Sequence, residues 1–244
     1  MLRLKFVVCK VLQREAYFCA ARSSCAVDVV LMPQGLHNEP DKLRDELQKE
    51  IEIVEDVQQQ PYDAILLGYG LCSNGIDRLT AKITTIVPRA HDCITLLLGS
   101  RERYKEYFDS HRGIYWYSSG WIEQHQQPSK ERMETLLKQY EEKYGAENAQ
   151  YLLDMEQGWM KEYGWATYVN WNFPNSENDR KFTKECAKYF NWSYDELAGD
   201  PVLMQKMVDG DWSERDFLKV SAGQKICADL TDPCIIKTCS EQCG

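Results

Sequence analysis

Four short segments rich in apolar and β-branched residues alternate with amphipathic segments in the first part of the chain. These candidate strands are Leu4–Cys9, Val27–Met32, Ala64–Leu67 and Thr84–Val87. The third has no polar alternation, which is typical of a strand buried on both faces of a parallel sheet. A segment that begins at Pro40 predicts a helix, because proline suits a first helical turn. Its apolar positions recur at helical spacing, at Leu43, Leu47, Ile51, Val54 and Val57.

The second half of the chain repeats this alternation without a close repeat of sequence. Its candidate strands are Ile114–Tyr117, Ala166–Trp171, Trp192–Leu197 and Phe217–Val220. Predicted helices at Lys130–Tyr144 and Ala146–Glu162 are polar on one side and are interpreted as a connector. Because strand, helix and strand follow one another, we expect right-handed crossovers and an α/β fold with a mainly parallel sheet and flanking helices.

We further expect two lobes around a cleft. The expected parts are residues 1–125 as an N-terminal α/β lobe, 126–163 as a helical connector, 164–222 as a C-terminal α/β lobe and 223–244 as a cysteine-rich, irregular tail.

The acidic composition excludes one class of partner. The 244 residues carry a formal net charge of −9. Nucleic-acid binding depends on clustered Lys and Arg that neutralise phosphates, so no nucleic-acid partner is expected. The N-terminus lacks the apolar length of a signal peptide, and no apolar run approaches the length of a membrane span. We therefore expect a cytoplasmic protein that has no membrane partner.

Ten cysteines are a high number for a cytoplasmic protein of this length. In a reducing compartment such cysteines serve as metal ligands, as catalytic thiols or as small buried residues, and seldom as disulfides. Cys19 and Cys186 fall on the apolar faces of predicted helices, so we expect both to contribute to packing.

Five soft or titratable side chains follow the predicted strands of the first lobe. They are Cys9, His37, Cys72, His91 and Cys93. Side chains after neighbouring parallel strands converge on one edge of a sheet, where ligands bind. Thiolates favour zinc, cuprous copper or an iron–sulfur cluster. The pattern predicts a metal site made of the three cysteines, with His91 as fourth ligand or acid–base group and His37 as a further catalytic candidate.

Other residues are candidates for binding a cofactor or a small anionic substrate. They are Asn74, in the glycine-rich loop around Cys72, and the basic residues Arg89, Arg101 and Arg103. A second candidate metal site lies in the tail, where Cys227, Cys234, Cys239 and Cys243 have the spacing Cys-x6-Cys-x4-Cys-x3-Cys. Zinc ribbons and ferredoxins use tighter Cys-x2-Cys pairs. The tail cysteines therefore either bind a second metal or cluster, complete the main site, or have a regulatory or incidental role.

Four motifs together resemble a known family. They are Gln34-Gly-Leu-His-Asn38, Gly68-Tyr-Gly-Leu-Cys-Ser-Asn-Gly75, Pro88-Arg-Ala-His-Asp-Cys-Ile94 and Gly99-Ser-Arg-Glu-Arg-Tyr104. The chain resembles, from Leu2 to Val220, a prokaryotic domain-of-unknown-function family common in anaerobic bacteria and methanogenic archaea. Genes of that family often lie beside corrinoid-dependent methyltransferases and their corrinoid proteins. The resemblance implies an anaerobic one-carbon context, with a corrinoid protein or methyltransferase as partner. The cysteine-rich tail lies outside the family pattern, and Ser73 replaces a more usual glycine.

These observations predict a thiolate-ligated metal protein of corrinoid methyl metabolism, acting in methyl or electron transfer. An iron–sulfur cluster is the first candidate cofactor, because the implied context is anaerobic and the chain has additional cysteines. Zn²⁺ is the alternative, because His91-Asp92-Cys93 resembles the zinc element of thiol-methylating enzymes, in which zinc generates a thiolate nucleophile. A third hypothesis is a non-catalytic metal or corrinoid accessory protein.

Overall fold

The computed structural model describes residues 1–72, 74–124, 127–229 and 235–239. Its strands are β1 Arg3–Cys9, β2 Ala26–Met32, β3 Ala64–Gly68, β4 Thr85–Pro88, β5 Ile114–Tyr117, β6 Trp165–Asn170, β7 Ser193–Ala198, β8 Phe217–Val220, β9 Lys225–Asp229 and β10 Ile235–Cys239. Its α-helices are α1 Gln13–Ala20, α2 Pro40–Glu52, α3 Cys93–Leu98, α4 Arg101–Ser110, α5 Ser119–Glu123, α6 Lys130–Tyr144, α7 Ala146–Glu156, α8 Ser176–Phe190 and α9 Val202–Asp209. Short 3-10 helices span Lys10–Leu12, Leu36–Asn38 and Gln157–Glu162. Within the described ranges, no helix has both the length and the apolar character needed to cross a bilayer.

The first sheet has five strands in the order β2-β1-β3-β4-β8. Strands β2, β1, β3 and β4 are parallel to their neighbours, whereas β8 runs antiparallel to β4. All five residues of β3 and all four of β4 are buried, as expected for central strands that are covered on both faces. The predicted α/β class with a mainly parallel sheet is therefore confirmed.

The second sheet has three parallel strands in the order β5-β6-β7. Its core combines the buried side chains of Tyr117, Tyr168 and Cys186 with Met133 of α6 and Leu153 of α7. Helices α6 and α7 thus bury apolar residues in the same core as these strands.

Two compact units divide the chain, residues 1–104 with 200–244 and residues 105–199. These limits differ from the boundaries expected from the sequence for two reasons. Strand β8 pairs with β4, which joins the segment after residue 199 to the first unit. The helices expected to form a connector instead pack into the core of the second unit.

The tail was expected to be irregular, and this prediction was wrong for its described part. Strands β9 and β10 form an antiparallel hairpin, and a disulfide joins Cys227 to Cys239. In this disulfide neither sulfur is a thiolate available to a metal, so the structure does not show the predicted second site. Cys234 and Cys243, the other two predicted ligands, lie outside the described residues.

Candidate functional site

Three cysteines come to one edge of the first sheet. Cys9 is the last residue of β1, Cys72 follows β3, and Cys93 is the first residue of α3, which follows β4. The three strands are parallel and adjacent, so their carboxyl ends meet. The order in which successive strands are added to the sheet also reverses here, because β2 lies on one side of β1 and β3 lies on the other. This switch point is where ligands bind in open α/β sheets.

Backbone hydrogen bonds join the two loops that carry Cys72 and Cys93. The Leu71 amide donates to the Ala90 carbonyl (2.8 Å), and the Cys72 amide donates to the His91 carbonyl (2.9 Å). Gly70 makes this close approach possible, because a Cβ at this position would lie 2.6 Å from the backbone nitrogen of Asp92. The absence of a side chain at Gly70 thus allows the two loops to pair.

Tyr69 lies among the three cysteines. Its side chain is 3% exposed and interacts electrostatically with Cys9, Cys72 and Cys93. Its hydroxyl lies beside the Cys9 thiol, yet among the described residues it has no hydrogen-bond partner of ordinary geometry. A thiol is a weak acceptor, so this buried hydroxyl is poorly satisfied, which is uncommon in folded proteins and calls for an explanation. We refer to Cys9, Cys72 and Cys93 as the thiol cluster.

Burial favours the protonated form of Cys9 and Cys72. It raises the pKa of Cys9 and also, more strongly, the pKa of Cys72. Electrostatic interaction with the neighbouring Asp92 and Cys9 raises the pKa of Cys72 further, while the backbone N–H groups of Gly70 and Cys93 lower it by hydrogen bonding to the sulfur. A bound cation reverses such a balance, because it stabilises the thiolate directly.

Asp92 supports the site, and the sequence interpretation gave it no role. One of its oxygens, Oδ1, accepts from the Ile94 amide (3.0 Å) and so caps α3 at the residue before Cys93. Its other oxygen, Oδ2, accepts from the Tyr104 hydroxyl (2.8 Å). Burial raises the pKa of this carboxyl. An aspartate directly before an apolar helical run is a recognisable N-cap signal, so the sequence itself indicates this capping role.

The two histidines occupy different environments. His91 is exposed, and its carbonyl belongs to the contact between the two loops. His37 is half-buried in the 3-10 turn after β2, and burial lowers the pKa of its imidazole. Strand β2 neighbours only β1, so His37 follows a strand that is not adjacent to β3 or β4. Of the two, His91 is the one directly joined to the Cys72 loop.

The three arginines predicted to bind an anion donate hydrogen bonds to backbone carbonyls. Arg89 donates to the carbonyls of Glu214 (2.9 Å) and Ile236 (2.6 Å). Arg101 donates to the Arg215 carbonyl (2.8 Å), and Arg103 donates to the Leu98 carbonyl (3.2 Å). These contacts give the guanidinium groups a structural role, and anion binding stays a prediction.

Asn74, the other predicted cofactor-binding residue, is exposed and has a left-handed backbone with φ of 67°. Its carbonyl accepts from the Arg44 guanidinium (3.1 Å).

The remaining cysteines and cavities lie elsewhere. Cys19 and Cys186 are 0% and 3% exposed on α1 and α8, which confirms their packing role. Two surface cavities, of about 620 and 380 Å³, lie in the second unit and are lined by none of the cluster thiols. In the part of the chain that the structure describes, no group of three or more His, Cys, Asp or Glu side chains has the arrangement of a metal site.

Fold and site together define an α/β protein with a mainly parallel sheet and a partly buried thiol cluster at the switch point of that sheet. The chain belongs to the family described as a protein of unknown function (DUF1638), whose model matches residues 31–208. The match includes Cys72 and Cys93 and begins after Cys9. No curated protein and no solved structure matches the chain.

Proposed function

We propose that this protein binds a metal centre through the thiolates of Cys9, Cys72 and Cys93. The observation that carries the proposal is the buried Tyr69 hydroxyl, which lies among three thiols and is poorly satisfied, because the group beside it is the weakly accepting Cys9 thiol. An electron-rich metal-bound thiolate or sulfide would accept that hydrogen bond better than a neutral thiol does. Because the described side chains do not stand as a metal-ligand group, the proposal includes a closing movement of the thiols on the metal.

An iron–sulfur cluster is the first candidate. The backbone N–H groups of Gly70 and Cys93 already bond to the Cys72 sulfur, and hydrogen bonds to sulfur are one way in which proteins tune such clusters. Three cysteines would leave one cluster position for His91 or for a substrate. When bound, the cluster would supply electron transfer or a Lewis-acidic iron. The protein residues would hold it, bury it and donate hydrogen bonds to its sulfurs.

The proposed setting is anaerobic one-carbon metabolism. Its support is the resemblance of the four sequence motifs to proteins encoded beside corrinoid-dependent methyltransferases. The protein would act in methyl or electron transfer, with a corrinoid protein or a methyltransferase as partner. A non-catalytic accessory protein that carries a metal or a corrinoid would use the same thiols, but it would release its cargo to that partner.

Zinc is the second candidate. The observation that favours it is His91, which is exposed two residues before Cys93 and so could complete a site of nitrogen and sulfur ligands. Zinc bound in this way would lower the pKa of a substrate thiol and generate a nucleophile.

The deciding experiment is analysis of iron, zinc and acid-labile sulfide, with an absorption spectrum, on protein purified without oxygen. We expect iron with sulfide and a broad visible band that bleaches on reduction. Stoichiometric zinc without sulfide would favour the thiol-activating role. Protein free of metal after reconstitution with iron and sulfide, and with zinc, would contradict the proposal.

Tyr69→Phe tests the role of the hydroxyl. In metal-free protein we expect the free energy of unfolding to rise by up to about 1 kcal/mol, because a poorly satisfied buried hydroxyl is removed. In metal-loaded protein we expect weaker metal retention, because a hydrogen bond to sulfur is lost. Urea unfolding with and without metal measures both effects.

Tyr117→Phe is the matched control for this variant. The Tyr117 hydroxyl is buried and donates to the Pro128 carbonyl (2.9 Å). Its removal should lower the free energy of unfolding by about 1 kcal/mol. If Tyr69→Phe lowered stability by a similar amount without metal, its hydroxyl would already be satisfied by the protein.

A further inference from the structure

The disulfide-linked hairpin of β9 and β10 contacts the segments that flank both loops of the thiol cluster. Cys227 is opposite Lys237 in the pairing register, and Cys239 is opposite Lys225. The disulfide therefore links the two strands diagonally. Both cysteines are only partly buried, so the bond is within reach of a small reductant in solution.

Strand β9 pairs with the segment 78–81, which follows the Cys72 loop. The Arg78 amide donates to the Ile226 carbonyl (2.7 Å), and the Ile226 amide donates to the Leu79 carbonyl (2.9 Å). The Ala81 amide donates to the Gln224 carbonyl (3.0 Å). This pairing gives β9 a continuous backbone contact with the chain that leads from Cys72.

Strand β10 contacts the other loop. The Arg89 guanidinium donates to the carbonyl of Ile236, a fully buried residue in the middle of β10. Arg89 leads directly into the segment that carries His91 and Cys93. One strand of the hairpin thus pairs with the segment that follows the Cys72 loop, the other accepts a hydrogen bond from the residue that leads into the Cys93 loop, and the disulfide links the two strands.

We propose that the Cys227–Cys239 disulfide is a redox-responsive clasp that sets how firmly the two thiol-carrying loops are paired. Thiol–disulfide exchange with a small dithiol would break the S–S bond. The two sulfurs would take two electrons and two protons, and the dithiol would become a disulfide. Without the bond, two five-residue strands form a pairing that is marginal on its own. The effect of the disulfide on metal retention rests on the proposed function, whereas the effect of the disulfide on loop pairing does not.

Hydrogen–deuterium exchange tests the clasp without requiring a metal. The amides of Arg78 and Ala81 report the contact with β9, and those of Leu71 and Cys72 report the pairing of the two site loops. Metal-free protein would be compared before and after reduction with a phosphine, with the redox state of Cys227 and Cys239 confirmed by alkylation and mass measurement. We expect at least about tenfold faster exchange at all four amides after reduction, and no change at the amides of β1.

Variants separate the disulfide from other effects of the reductant. The double variant Cys227→Ser with Cys239→Ser should show the fast exchange of the chemically reduced protein, whether or not phosphine is present. Cys25→Ser removes a partly buried cysteine that forms no disulfide, and it should respond to phosphine as the unmodified protein does. Unchanged exchange rates at the Leu71 and Cys72 amides on reduction would overturn the proposal, even if exchange became faster at the amides that face β9.

A second arm uses Zn²⁺ alone as the probe. Zinc-loaded protein would be mixed with a chromogenic chelator, and we expect at least about tenfold faster transfer of zinc from the reduced protein. Equal transfer rates in the two redox states would overturn control of the site by the clasp. If no zinc bound in either state, the proposed function would fail for zinc, and the exchange rates at Leu71 and Cys72 would still decide on the clasp.

Discussion

Cys72→Ala is expected to reduce bound metal at least about tenfold, because it removes one of three proposed thiolate ligands. The fold should persist, since the backbone of the loop is held by the amide contact with His91. We expect the free energy of unfolding of the metal-free protein to change by no more than about 1 kcal/mol, as for a partly exposed side chain. Metal analysis and urea unfolding on the same preparation measure the two quantities.

Cys186→Ala is the control for Cys72→Ala. Its thiol is buried in the core of the second unit, and burial raises its pKa to about 12. This variant should retain its metal and lose about 1–2 kcal/mol of stability through the cavity that it leaves. Metal loss in Cys186→Ala, or full metal content in Cys72→Ala, would show that the thiol cluster is not the binding site.

The strands and helices could be predicted because local sequence determines them strongly. The apolar run at β3 is buried on both faces as expected, and α6 begins and ends at the predicted residues. The placement of those elements depends on contacts that periodicity does not contain. The pairing of β8 with β4 returns the chain after residue 199 to the first unit, and nothing in the sequence of either strand specifies this partner.

The tail illustrates the same limit. Strand β9 obtains its backbone partners from the segment 78–81, far away in sequence, and from β10. Neither partner can be inferred from the spacing of the tail cysteines. Spacing leaves a metal site, completion of the main site and a regulatory or incidental role all open for these cysteines, and it gives no indication that the hairpin brings Cys227 and Cys239 together as a disulfide.

The three cysteines of the candidate site could be predicted from the sequence, but the residues around them could not. Cys9, Cys72 and Cys93 follow from one rule, that the ends of adjacent parallel strands share an edge. The roles of Tyr69 and Asp92 depend on burial and on partners such as Tyr104, which only the folded chain defines. Arg89 was expected to bind an anion, yet it reaches carbonyls of distant segments that the sequence could not place beside it.

Gly70→Ala should damage both the fold and the site. The added Cβ would lie 2.6 Å from the backbone nitrogen of Asp92 and 2.7 Å from its Cα. Backbone atoms cannot rotate away as a side chain can, so the two loops must separate. We expect a loss of about 1–3 kcal/mol in the free energy of unfolding, as in an overpacked core. Bound metal should fall as well, because the Cys72 amide would lose its contact with His91.

Gly158→Ala provides the comparison for Gly70→Ala, because a Cβ at that glycine would meet nothing within 4 Å. It should leave the metal content unchanged and the stability unchanged or slightly higher, since alanine restricts the unfolded chain more than glycine does. The two site variants then separate two roles. Cys72→Ala removes a ligand from intact loops, so it should lose metal at nearly unchanged stability, whereas Gly70→Ala should lose both together. Unchanged stability in Gly70→Ala would mean that the close contact between the loops is not required for the fold.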